Sequence, residues 1–212
     1  MKTDNLIDAL AQDLAPTPSR PIWPRLLLAS LVGAALATAI VVFGYGIRTD
    51  FGAAINAVLA KTALSLAAVL IAAPLAYKLA RPNTGIRSWL WPAFGLVVAS
   101  FSVAAFALAQ TAPDARLSAW LAGGGLPECL KRIPVLAVPV AIALVFVVRG
   151  LSPTRLTLAG AAIGGLSAAV GAVAYSLFCP IDSVAYVATW YVAAILLCAG
   201  IGAVLGRWLL RW

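Results

Sequence analysis

Histidine is absent from the chain, and only 10% of its 212 residues are charged. A soluble domain of this length carries about 25% charge. The shortage therefore excludes an ordinary soluble protein, and it also narrows the chemistry. Acids number seven, and none lies in the middle of an apolar run. Proton-coupled transport relies on ionisable groups inside the membrane. General acid–base catalysis draws mostly on His, Asp or Glu. The hydrolytic patterns G-x-S-x-G and H-E-x-x-H are missing too. An enzyme is not expected, and neither is a cofactor or a bound metal. The three cysteines form no C-x-x-C pair, which leaves a membrane thiol oxidoreductase poorly supported.

What the chain has is apolar length. It is 63% hydrophobic, with a mean hydropathy of +1.01. Apolar stretches near 20 residues, the length that crosses ~30 Å of hydrocarbon, fall at roughly 26–47, 55–79, 89–110, 131–148, 156–178 and 184–206. The first, around "LLLASLVGAALATAIVVFGYGI", does not alternate as a barrel strand would. It also exceeds the 7–15 residues of a signal-peptide core, so it is expected to stay as an anchor. Lipid offers backbone groups no partner, so the spans must be helices. The expected fold is all-α: a polytopic membrane protein with a six-helix transmembrane bundle over residues 26–212.

Lys and Arg set the direction. One set of span ends holds Lys2, Arg20, Arg25, Lys78, Arg81, Arg87, Arg149, Arg155, Arg207 and Arg211; the other holds Arg48, Lys61, Arg116, Lys131 and Arg132. Asp50, Asp114, Glu128 and Asp182 all join the second set. Both termini are therefore expected in the cytoplasm. The net charge of +8 is mostly this anchoring pattern and calls for no direct nucleic-acid partner. The polar Lys61 lies within two turns of the outer end of its span, where it is expected to snorkel to the interface.

The span "LTLAGAAIGGLSAAVGAVAYSLF" is rich in small residues. Gly160, Gly164 and Gly171 mark a face that lets helices approach closely in lipid, and Gly202 and Gly206 repeat the spacing. This helix is expected at the centre of the bundle. Pro74, Pro92, Pro134 and Pro139 lie in or near spans, where proline can kink a helix.

Cys198 lies deep in the last span and reads as an inert packing residue. Cys129 and Cys179 fall at the outer ends of spans four and five, which are joined by the short turn "GLSPTR". Two thiols on neighbouring helix ends can reach disulfide distance. A structural bond closing such a loop would contribute about 4 kcal/mol. A redox-active pair is the other reading, and the residues leave both open.

Residues 1–25 form a polar tail ahead of the spans. In "MKTDNLIDALAQDL", Leu6, Ile7, Leu10 and Leu14 recur at helical spacing, with Asp4, Asp8 and Asp13 on the polar side. A helix is expected over residues 3–14, followed by the semi-rigid proline-rich spacer "APTPSRPIWPR". Membrane-surface helices are usually rich in Lys and Arg, whereas this one is acidic. Docking in the hydrophobic groove of a cytoplasmic protein fits it better. Leu6, Ile7, Leu10, Asp13 and Leu14 are the candidate partner-binding residues.

"MKTDNLIDALAQDL" and "CPIDSVAYVATWY" together resemble the NrsF-type family of bacterial negative regulators of sigma factors. That resemblance implies a six-span inner-membrane anti-sigma factor. It implies a cytoplasmic side that holds an extracytoplasmic-function sigma factor inactive. It also implies an outer-face cysteine pair, here Cys129 and Cys179, that takes part in sensing envelope, redox or thiol-reactive metal stress. The rival readings are a small transporter or channel, a membrane thiol oxidoreductase, and a purely structural membrane subunit.

Overall fold

The structure is a computed structural model describing residues 21–81, 85–122, 127–151 and 153–211. The helix expected over residues 3–14, with its candidate partner-binding face, lies outside those residues.

Among the described residues seven α-helices follow one another, six of them long and apolar enough to cross a membrane. Helix α1 spans Trp23–Ile40, with Pro24 in its first turn, where a missing N–H does no harm. It runs on into a π-helical segment, Val41–Tyr45. The Gly46 N–H closes that segment by donating to the Val41 carbonyl at 2.8 Å, and Gly46 takes φ +84° to turn the chain away. Helix α2 spans Ile55–Leu79 and α3 spans Arg87–Gln110. A short helix, α4, covers Arg116–Leu121. Then come α5 (Glu128–Arg149), α6 (Leu156–Ser176) and α7 (Val184–Leu209). The expected spans match these six long helices to within a few residues. Pro74, Pro92, Pro134 and Pro139 are accommodated inside α2, α3 and α5.

Helix α6 is the hub. It packs against α7, α2, α5 and α1, and 72% of its most apolar stretch is buried, against 11% for α3. Lipid tails are as apolar as leucine, so association here depends on close packing rather than on exclusion from water. Glycine provides the closeness. A Cβ at Gly160 would collide with the Gly202 carbonyl, and one at Gly164 with the Cys198 carbonyl. On the α5 side, a Cβ at Gly171 would come within 3.1 Å of the Ala137 nitrogen.

Two buried clusters fill the bundle. One, around Leu26, Leu79, Val148, Leu166 and Leu210, lies toward the arginine-rich end. The other, around Cys129, Ile133, Tyr175, Cys179, Tyr186 and Tyr191, fills the opposite end.

Candidate functional site

The turn between α6 and α7 holds Cys179, Pro180, Ile181, Asp182 and Ser183. It is fastened from several sides. The Arg48 N–H donates to the Leu177 carbonyl at 3.3 Å. The Cys179 carbonyl accepts from Arg48 Nη1 at 3.2 Å and from Lys61 Nζ at 2.9 Å. The Asp182 carboxylate accepts two bonds from Arg48, at 2.8 and 3.1 Å, and one from Lys61 at 2.7 Å. Arg48 also forks onto Asp50 at 2.7 and 2.8 Å. Two cations and two carboxylates make a neutral cluster.

Arg48 and Lys61 are 4% and 2% exposed at their side chains, while Asp182 keeps 41% of its surface open. The Arg48 guanidinium, followed by Lys61, holds the Asp182 carboxyl down at about 2. Asp50 is lowered by the same guanidinium. Arg48 in turn is raised, by its bonds to Asp50 and Asp182.

Lys61 thus departs from its expected role. It does not snorkel: it turns inward to the turn at residues 179–182. An ammonium shielded from water needs an anion and acceptors, and Asp182 with the Cys179 carbonyl supplies them. No local pattern links Lys61 to a partner 121 positions away.

Ser183 completes the turn. Its hydroxyl caps α7 by accepting from the Tyr186 N–H at 3.4 Å, and donates to the Ala119 carbonyl of α4 at 2.7 Å. Trp190 Nε1 donates to the Trp120 carbonyl at 2.9 Å, and the two indoles stack at 5.3 Å. Three residues of "CPIDSVAYVATWY" thus have structural roles. Asp182 anchors the turn, Ser183 caps, and Trp190 pins the loop helix.

Directly beneath the turn lie the thiols. Cys129, at the start of α5, and Cys179 are both fully buried in one cluster. Both are free thiols, as is Cys198. Cys129 Sγ donates to Tyr186 Oη at 3.3 Å, and Cys179 Sγ reaches the Ile181 carbonyl at 3.8 Å. The Tyr191 hydroxyl is buried in the same cluster and has no hydrogen-bond partner among the described residues. Cys198 is buried elsewhere along α7, against Gly164.

A cationic lid closes the thiol cluster. Arg132 stacks over the Tyr45 and Phe178 rings at 4.8 and 4.6 Å and pairs with Glu128 at 3.0 Å. Among the described residues, no three His, Cys, Asp or Glu side chains converge as a metal set. The arrangement can do two things. It can keep a thiol couple out of water, and it can tie that couple through Arg48 and Lys61 to α1 and α2.

A family model described as negative regulator of sigma F matches residues 10–212. The anti-sigma-F factor NrsF of Caulobacter vibrioides is 36% identical over 220 residues, covering 100% of both chains. The probable anti-sigma-F factor NrsF of Azospira oryzae is 34% identical over 215 residues, again covering 100% of both. No solved structure matches.

Proposed function

We propose a function from one premise: the chain belongs to the family of negative regulators of sigma F. Its full-length relatives are named anti-sigma-F factors. By that likeness this multi-pass membrane protein restrains a sigma factor. The finer reading is an inner-membrane protein with both termini in the cytoplasm, acting on an extracytoplasmic-function sigma factor and serving no catalytic role. Residues 1–25 form the gripping arm, and Leu6, Ile7, Leu10, Asp13 and Leu14 the docking face. Residues 26–212 form the membrane domain. Cys129 and Cys179 form the sensing pair.

The observation that carries this reading is the position of Cys179. Its thiol sits in the buried tyrosine-lined cluster, while its carbonyl is held by Arg48 and Lys61. A change in the bonding of the thiols, by oxidation, reduction or a thiol-binding metal, cannot leave the turn unmoved. The turn is joined to α6, the helix that touches α1, α2, α5 and α7. Release of the partner follows from a shift of these helices. A tenfold change in sigma affinity requires only ~1.4 kcal/mol of coupling.

The test is co-purification. A sigma factor is expected to be retained by the intact membrane protein and lost when residues 1–20 are deleted. Retention by the truncated chain would sink the arm as the docking site.

A further inference from the structure

A groove of about 600 Å³ runs along the bundle between α5 and the α6–α7 pair. Its walls are apolar, formed by Val138, Ile142 and Phe146 on one side and Ile201 and Leu205 on the other, over a floor at Gly164. The α5 wall extends from Pro134 to Arg149, a rise of about 22 Å at 1.5 Å per residue. Water finds few polar partners in such a groove.

The mouth is different. Arg149, in the last turn of α5, is the charged side chain that lines the groove, and it is exposed. Leu210 lines the same end and is fully buried, and the next residue in the chain, Arg211, is exposed. The acids among the described residues, Asp50, Asp114, Glu128 and Asp182, belong to the other end of the bundle. One arginine thus lines the mouth of an apolar slot, a second adjoins a lining residue in the chain, and none of the acids among the described residues shares that end.

We infer that this groove seats an acyl chain of an anionic phospholipid, with Arg149 and Arg211 holding its phosphate. The slot has the length and apolarity for a lipid tail. Guanidinium groups bind phosphate oxygens through paired N–H donors. Basic pockets between membrane helices recognise anionic head groups in the same way. A second copy of the chain fits less well. A two-fold contact would bring the same patch of each copy together, and so place Arg149 and Arg211 against like charges. The inference is independent of the sigma-factor reading.

The test uses the full chain in neutral detergent, with phosphatidylglycerol or phosphatidylcholine of identical acyl chains, read by native mass spectrometry. Two arginines contributing about 1 kcal/mol each predict roughly twenty- to thirtyfold preference for phosphatidylglycerol. Arg149→Gln is expected to weaken phosphatidylglycerol retention about fivefold. The double change Arg149→Gln with Arg211→Gln should reduce it to the phosphatidylcholine level. Arg87→Gln, an exposed cation of α3 away from the groove, should change nothing. Ala141→Phe, which fills the slot, should lower retention of both lipids; if that variant fails to fold, the arginine variants still decide. Equal retention of the two lipids, an equal loss with Arg87→Gln, or a lipid-free dimer would each overturn the inference.

Discussion

Asp182 is the residue on which the outer end depends, because it neutralises two cations that are almost wholly shielded from water. Removing one member of a buried ion pair costs about 3–5 kcal/mol. Asp182 is 41% exposed, and solvent screening reduces that to about 1–3 kcal/mol for Asp182→Asn. Thermal unfolding of the purified protein in detergent would measure it. The pH dependence has a definite sign. The carboxyl is depressed from 3.8 to about 2, so its contribution is complete above the ordinary value and fades as pH falls toward 2. Stability attributable to this cluster should be flat between about pH 5 and 8 and drop only below about pH 4. A loss near pH 6 would assign the acid sensitivity to other groups. The thiols make a separate prediction: serine at both Cys129 and Cys179 should abolish the stress response while basal repression persists, read from a sigma-dependent reporter. A normal response would leave the pair structural. Sequence placed Cys129 and Cys179 together because a short turn joins their helices. It missed the cluster above them, because Arg48 and Asp182 are 134 positions apart and no local pattern links them. Depth alone suggested that Lys61 would reach for water; its true partner belonged to another hairpin.

At the level of elements, glycine decides how closely α6 and α7 meet, and two glycines on one helix isolate the effect. A Cβ at Gly202 would strike the Gly160 carbonyl, whereas one at Gly200 meets nothing within 4 Å. Gly202→Ala should destabilise the bundle by about 1–3 kcal/mol through overpacking. Gly200→Ala should be neutral, or stabilising by about 0.5–1 kcal/mol through helix propensity. Equal effects in a detergent unfolding series would mean that the close approach does not govern this interface. These long elements were legible because membrane spans announce themselves by apolar length, and the small-residue face because its spacing is helical. Helix α4 was not. Its six residues give too few turns for a periodic signal, yet its Ala119 and Trp120 carbonyls receive Ser183 and Trp190. The π-helical end of α1 was hidden for a similar reason. It differs from an ordinary helix by one hydrogen-bond step, which composition does not report.

Across the whole molecule, charge divides the two ends of the bundle. Arg25, Arg87, Arg149, Arg155 and Arg211 stand exposed at one end, where Trp23 packs edge-on to Tyr77 and Arg81 covers the same ring. The carboxylates among the described residues occupy the other, several of them bound to cations. Positively charged loops stay on the cytoplasmic side, so the thiol end should face outward. The native thiols cannot report this, since Cys129, Cys179 and Cys198 are all buried from any bulky reagent. The test therefore needs a chain with its three cysteines replaced by serine and one cysteine restored at an exposed position. Asp114→Cys lies in the loop ahead of α4, and Thr154→Cys in the turn between α5 and α6; both positions are exposed. A membrane-impermeant maleimide applied to intact spheroplasts should label the first and spare the second, and lysis should make both react. If residue 154 is labelled before lysis and residue 114 is not, the bundle is inverted. The arm would then lie outside the cytoplasm and the thiols within it, and residues 1–20 could not grip a cytoplasmic sigma factor.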